Sequence, residues 1–198
     1  MDEQSGGTEL LEQLFQQNHE RMKKLIAFRL APALRRRIDE SDVLQDAFVE
    51  ACRKFENYKK DPKVPAFLWL RLIVTETLID LHRHHLGVQS RDPRREAYEH
   101  LGSFGQTTAL LLADHLIGDF TPPHIAVSRQ ETLQRLRNVL EELEPIDREI
   151  LALRHGEQLT RQEVAGVLNI PTATAAKRYV RALARLRKRM EDSHEEYR

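Results

Sequence analysis

A basic segment near the end of the chain carries the residues best suited to bind phosphate. Lysine and arginine at helical spacing can neutralise the phosphates of a duplex, and side chains near the start of such a helix can reach base edges. A solvated basic face of an ordinary helical bundle has the same composition, so this segment alone leaves DNA binding open. The candidate DNA contacts are Thr172, Thr174, Lys177, Arg178, Arg181 and Arg185.

Two short helices meeting at a tight turn would position this segment. Thr160 followed by Glu163 forms a capping box, and Pro171 suits the first turn of a following helix. A turn this short sets two helices at a steep angle, as in a helix-turn-helix. The apolar positions expected to face inward on the second helix are Ala173, Ala176, Val180, Leu183 and Leu186.

An acidic helix is predicted from Ser41 onward. Asp42, Asp46 and Glu50 lie one turn apart, opposite an apolar stripe that contains Val43 and Ala47. Stacked carboxylates repel each other, which favours a basic partner surface. The alternative is an ordinary acidic face that the neighbouring Arg53 and Lys54 partly neutralise.

The segment from Phe55 to Pro65 is predicted to be a loop because of its prolines and polar residues. It combines aromatic and basic side chains, as do surfaces that hold unstacked bases against a charged backbone. A helix from Ala66 to His85 should follow, with Trp69 packed inside. Three histidines near its end, His82, His84 and His85, lack further ligands at a recognisable spacing, so they are interpreted as a basic helix terminus and no metal is expected.

The composition favours two small helical domains. The chain has 198 residues, few aromatics and almost no alternating pattern, so an all-α fold is expected. The weakly patterned segment 87–124 is interpreted as a linker between domains 1–86 and 125–198. A single cysteine, Cys52, excludes an intramolecular disulfide, and no secretion signal or membrane-spanning run is present, which favours the cytoplasm.

Several motifs in one order resemble a known family. The segments DVLQDAF, from Asp42 to Phe48, and AFLWLRLIVTETLIDLHR, from Ala66 to Arg83, are followed by LEPIDREILALRH and LTRQEVAGVLNIPTATAAKRYVRALARLR. This arrangement is similar to the sigma-70 family of bacterial RNA polymerase sigma factors, of the small two-domain extracytoplasmic-function type. The resemblance implies a non-enzymatic protein without cofactors, whose partners are core RNA polymerase and promoter DNA.

The resemblance also implies roles for individual residues. Asp42, Gln45, Asp46 and Glu50 would contact polymerase, and domain 125–198 would read the minus-thirty-five element through Lys177, Arg178 and Arg181. The residues expected near the flipped minus-ten base are Asn57, Tyr58, Lys59, Lys60 and Lys63. The protein would be monomeric on polymerase, and an anti-sigma factor is left open as a further partner.

Two features depart from the family pattern. Alanines occupy the start of the second helix where the family often has larger residues, so the bases read are not specified, and the long linker has room for an extra regulatory helix. The acidic run from Glu141 to Glu149 also precedes the basic helix and could compete with phosphate for it. We therefore expect the free protein to bind promoter DNA poorly.

The alternative function is a helix-turn-helix regulator whose front domain dimerises or binds a ligand. That alternative gives no role to the DVLQDAF helix or to the Asn57–Lys63 segment. An enzyme is the weakest option, because the sequence contains no Ser-His-Asp arrangement and no glycine-rich phosphate loop.

Overall fold

Helices and short turns make up the parts of the chain that a computed structural model describes, which are residues 3–86, 105–120 and 129–195. No strand occurs within these ranges, which confirms the predicted all-α class. The chain divides into two compact units, Met1–Asp92 and Pro93–Arg198. No helix in the same ranges is long and apolar enough to cross a membrane.

The first unit contains three long helices. These are α1 (Glu3–Arg29), α2 (Glu40–Lys60) and α3 (Ala66–Leu86), and each packs against the other two. Their shared core consists of fully buried apolar side chains: Met22, Ile26, Phe28, Val43, Ala47, Leu70, Val74 and Leu78. Lys54 on α2 forms an ion pair with Glu76 on α3 at 2.7 Å, so this lysine does not neutralise the acidic face of its own helix.

The ends of α2 are fixed by local chemistry. Asp39 caps its start, because its Oδ1 accepts a hydrogen bond from the Ser41 backbone N at 2.7 Å, and this bond lowers the pKa of the Asp39 carboxyl. The helix continues to Lys60 and stops just before the Asp61–Pro62 pair, where proline disfavours a helical residue ahead of it. The prediction of a loop starting at Phe55 was therefore wrong, and the loop is limited to residues 61–65.

His82 is a buried hydrogen-bond acceptor and not part of an exposed basic helix end. Its side chain is 7% exposed, and its Nε2 accepts the backbone N–H of Ala31 at 3.2 Å. Only a neutral imidazole can accept at this nitrogen, and burial lowers the pKa of His82 accordingly. The contact joins the end of α3 to the turn that follows α1, which sequence spacing could not indicate.

The first unit should therefore lose stability in mild acid. The unfolded chain protonates His82 near pH 6.5, whereas the folded chain protonates it only at lower pH. The free energy of unfolding is therefore highest above about pH 6.5 and falls as the pH decreases from there to the lower pKa of the folded chain. The expected loss is about 1.4 kcal/mol per pH unit in that window. His82→Gln keeps an acceptor without titrating, so its unfolding temperature should fall less between about pH 7 and 5.5. The control is His84→Gln, which replaces an exposed histidine in the same turn and should retain the parental pH profile.

The second unit begins, in its described part, with a helix from the segment that was expected to be a linker. This helix, α4 (Gly105–Phe120), packs on α5 (Arg129–Glu142) and α6 (Pro145–Leu151), and on the π-helical turn Ala152–Gly156 that continues α6. The described part of the predicted linker is therefore not a free spacer. Residues 87–104 and 121–128, which include the rest of that linker and the predicted start of the second domain, lie outside the described residues.

Arg148 fixes the corner between α5 and α6. Its guanidinium donates to the carbonyl oxygens of Leu140 and Glu141, each at 2.8 Å, and of Leu143 at 3.1 Å. Leu140 and Glu141 lie in the last turn of α5, where carbonyls have no partner within the helix, and Leu143 follows its end. The corner carries the acidic residues Glu142, Glu144 and Asp147, so Arg148 also determines where those carboxylates lie.

Candidate nucleic-acid interface

The last two helices form the predicted helix-turn-helix. In α7 (Arg161–Leu168), the Glu163 backbone N donates to the Thr160 hydroxyl at 3.2 Å, and the Glu163 carboxylate accepts the Thr160 N–H at 2.8 Å. This is the capping box expected from the sequence. Asn169 ends α7 in the left-handed conformation at φ 50°. After Pro171, α8 (Thr172–Glu195) begins with Thr172 as its first helical residue.

The buried face of α8 differs from the predicted one. The fully buried positions are Ala175, Ala182 and Leu186, and of the predicted stripe only Leu186 belongs to them. Tyr179 lies between these positions, with its ring stacked 5.8 Å from that of His155 and its hydroxyl 3.1 Å from His155 Nε2. Because an aromatic residue with a polar end occupies the inward position, Val180 faces outward and is 63% exposed.

The outward face of α8 carries a row of cations. Lys177, Arg181 and Lys188 are exposed, and none forms an ion pair with a carboxylate within residues 3–86, 105–120 and 129–195. They lie four and seven residues apart, so the row extends about 16 Å along the helix. Phosphates on one strand lie about 3.4 Å apart along the duplex axis, so the row can reach several of them.

A second row of α8 cations faces carboxylates of the same unit. Arg185 forms an ion pair with Asp147, and Arg178 Nη1 lies 3.9 Å from the other oxygen of that carboxylate. Arg185 Nη1 also lies 3.9 Å from Glu144. Further along, Arg189 pairs with Glu142. The acidic run noted in the sequence therefore already engages part of the basic helix, and Arg178 and Arg185, both predicted DNA contacts, belong to that part.

Thr172 and Thr174, the other predicted DNA contacts, are exposed at the start of α8. They lie within its first turn, where free backbone N–H groups also favour anions. Val180 was not predicted to reach DNA. Exposed between Lys177 and Arg181, it could make an apolar contact with the C5-methyl group of thymine.

In the first unit, the predicted acidic face of α2 is present. Asp42, Gln45 and Asp46 are exposed, and neither aspartate has an ion-pair partner in the described part of the chain. Glu50 differs from them because its Oε1 accepts from Arg53 at 2.7 Å. Val49 is 45% exposed on this face, which was not predicted, and it adds an apolar contact to the acidic one.

The predicted aromatic and basic residues lie at the end of α2. Tyr58 stacks on the buried Trp69, with ring centroids 4.5 Å apart and planes at 17°, and donates its hydroxyl to the Val64 carbonyl at 2.9 Å. Burial raises the pKa of Tyr58. The ring is therefore part of the protein's own aromatic stack, which leaves only its half-exposed edge for a base. Trp69 is packed, as the sequence indicated.

The polar residues of this group differ in whether they form ion pairs. Asn57 and Lys60 are exposed and have no ion pair or side-chain hydrogen bond among the residues described. Lys59 pairs with Glu56 at 2.8 Å, and Lys63 lies 3.4 Å from Asp61. All four amines or amides remain near solvent, and exposed ion pairs exchange readily with phosphate because they are weak.

No group of three or more His, Cys, Asp and Glu side chains in the described ranges could hold a metal ion. His84 and His85 pack edge to face at 4.9 Å.

Comparison with known proteins agrees with this geometry. Residues 133–186, from within α5 to within α8, match the family described as Sigma-70, region 4. The chain is 26% identical over 144 residues to the RNA polymerase sigma-H factor of Pseudomonas aeruginosa, a match that covers 73% of this chain and 69% of the relative. It is 24% identical over 154 residues to the ECF RNA polymerase sigma factor SigW of Bacillus subtilis, which covers 78% and 76% respectively.

These matches extend beyond the helix-turn-helix, since each relative aligns with more than two thirds of the chain. They agree with the order of motifs in the sequence and with the helix-turn-helix of the second unit. The family match and the two relatives make the chain similar to sigma factors of the sigma-70 family, of the extracytoplasmic-function type, and support a role in promoter recognition.

Proposed function

We propose that this protein binds core RNA polymerase through the acidic face of α2 and directs promoter melting and transcription initiation. In this proposal Asp42, Gln45, Asp46 and Glu50 contact polymerase, and domain 1–86 contacts the minus-ten region. Domain 125–198, together with α4, binds the minus-thirty-five element. The protein acts in the cytoplasm, needs no cofactor and is monomeric on polymerase, and an anti-sigma factor is left open as a further partner.

The observation that carries the proposal is a pair of outward helix faces of opposite charge, one in each unit. On α2, Asp42 and Asp46 are exposed without ion-pair partners within the described ranges. On α8, Lys177 and Arg181 are equally exposed and equally without partners there. Unpaired charges of one sign on a folded surface favour a partner of the other sign. DNA fits the cationic face and a basic protein surface fits the acidic one.

The minus-ten contact rests on the end of α2 and the turn after it. Asn57, Lys60 and Lys63 are exposed there and can bind a base edge or the backbone of a displaced strand. Tyr58 has a different role in this proposal, because its stack on Trp69 makes it a support for a base that approaches its exposed edge. Lys59 adds a further charge beside the Phe55 ring, 5.5 Å from its centroid.

Reconstitution with core polymerase tests the proposal directly. On a pool of genomic fragments, core enzyme with this protein should give discrete transcripts, and thymines near each start site should become reactive to permanganate as the strands separate. Core enzyme alone should give neither. Identical transcripts with and without the protein would contradict the proposed role in initiation.

The regulator alternative predicts a different result. A helix-turn-helix regulator would bind duplex DNA in the absence of polymerase, and core enzyme would not retain it on a column. Neither aligned relative is named as a regulator of that kind, since both names specify an RNA polymerase sigma factor. Retention by core enzyme therefore separates the two functions in one measurement.

A further inference from the structure

A buried carboxylate holds two arginines of the proposed DNA-reading helix. Asp147 is 2% exposed, lies in the first turn of α6, and makes an ion pair with Arg185. Its other oxygen lies 3.9 Å from Arg178. A buried charge is tolerated only while it is paired, so an arginine that left to bind phosphate would weaken the compensation of Asp147. These two arginines are therefore restrained more strongly than an ordinary surface pair.

The remaining cations of α8 are not restrained in this way. Lys177, Arg181, Arg187 and Lys188 have no carboxylate partner in the part of the chain that the structure describes. Arg189 pairs with Glu142, but their side chains are 45% and 65% exposed, and such a pair is weak in water. The charge of α8 that is readily available to a ligand is therefore smaller than its sequence indicates.

We propose that Asp147 is a positioning residue that withholds Arg178 and Arg185 from DNA phosphates, so that Lys177, Arg181 and Lys188 make the phosphate and base contacts. This inference rests on the proposed function, in which α8 binds duplex DNA. Non-specific affinity grows with the number of phosphates that a protein neutralises. Asp147 therefore limits binding to arbitrary sequence while it leaves the outward row of α8 free to bind the promoter.

The salt dependence of DNA binding tests this role, because it counts phosphate contacts. Each additional contact steepens the plot of log affinity against log salt concentration by about 0.9. In the full chain, Asp147→Asn should release one or both arginines and steepen the slope by about 0.9 to 1.8 on a short duplex of mixed sequence. Between about 50 and 200 mM salt, the loss of affinity should then be about 3- to 12-fold larger than for the parent.

Glu142→Gln is the matched control. It removes the same charge from the same acidic corner, but Glu142 is 65% exposed, so its pair with Arg189 is weak and the salt slope should stay at the parental value. An equal steepening in both variants would overturn the proposal, because net charge alone would then explain the effect. A folded Asp147→Asn chain with the parental slope, or with no gain in binding at low salt, would overturn it as well.

A second pair of variants keeps the proposal testable if Asp147→Asn fails to fold. Arg181→Ala should flatten the parental slope by about 0.9, whereas Arg178→Ala should leave it unchanged. Equal effects of the two substitutions would overturn the division of roles. Failure of the proposed function has a different signature, since core enzyme would then give no promoter-specific transcripts with the parent protein, whatever the ranking of these variants.

Discussion

Asp46→Lys should nearly abolish recovery of this protein with core RNA polymerase. Asp46 is exposed at the centre of the acidic face of α2, beside the half-exposed Val49, and has no ion-pair partner in the described residues. Reversing its charge therefore breaks no internal contact, and lysine is a good helix former. Removing one partner of a charge pair at an interface costs about 2–5 kcal/mol, which corresponds to about 30-fold or more in affinity.

Asp80→Lys provides a matched control for this experiment. Asp80 is an exposed carboxylate of the same unit, on α3, and it lies 3.5 Å from Arg83 Nη1. The two substitutions change the net charge equally, so a general electrostatic effect would reduce recovery in both. Co-purification with immobilised core enzyme should fall for Asp46→Lys alone, with equal helicity by circular dichroism. If the Asp46 variant is retained like the parent, α2 is not the docking face.

The sequence predicted features whose cause is local. The capping box of Thr160 and Glu163 involves residues three positions apart, and the amphipathic pattern of α2 follows from its own period, so both could be recognised without the rest of the fold. The helix-turn-helix followed from these signals and from Pro171. Its presence required no knowledge of distant contacts.

The errors arose where distant contacts decide the outcome. The sequence of α8 predicts an inward face made only of apolar residues. Tyr179 turns inward instead, because His155, 24 residues earlier, supplies a partner for its hydroxyl. The same rotation exposes Val180 and turns Arg178 and Arg185 towards Asp147. His82 was misassigned for a similar reason, since its partner Ala31 is 51 residues away. The helical repeat of apolar residues identifies the buried face of a helix, but the neighbouring element determines which polar groups that face can bury.

The segment predicted to be a linker leads to an expected result of its own. A fragment of residues 125–198, cut at the domain boundary that the sequence indicated, should be largely unfolded at room temperature. It lacks α4, whose buried side chains pack within the second unit: Ala109, Leu111, Leu112, Ala113, Leu116 and Ile117. A fragment of residues 93–198 retains α4 and follows the boundary of the compact unit, so it should unfold cooperatively.

The magnitude of the effect follows from the area that α4 buries. A fully buried leucine or isoleucine contributes about 1.5–3 kcal/mol, and α4 buries four, so its loss removes at most about 6–12 kcal/mol. This is comparable with the whole stability of a typical domain, about 5–15 kcal/mol. The ion pair between Asp114 and Arg137, at 3.2 Å, adds little because the carboxylate is half-exposed.

Single substitutions in the full chain separate the packing of α4 from a simple effect of chain length. Leu112→Ala should cost about 2–5 kcal/mol in the unfolding of the second unit, because its side chain is fully buried. Asp114→Ala, two residues away on the exposed side of the same helix, should cost less than about 1 kcal/mol. Thermal unfolding and amide exchange in α5 report both values. If Leu112→Ala is as mild as Asp114→Ala, and residues 125–198 fold as well as residues 93–198, then α4 is a dispensable spacer.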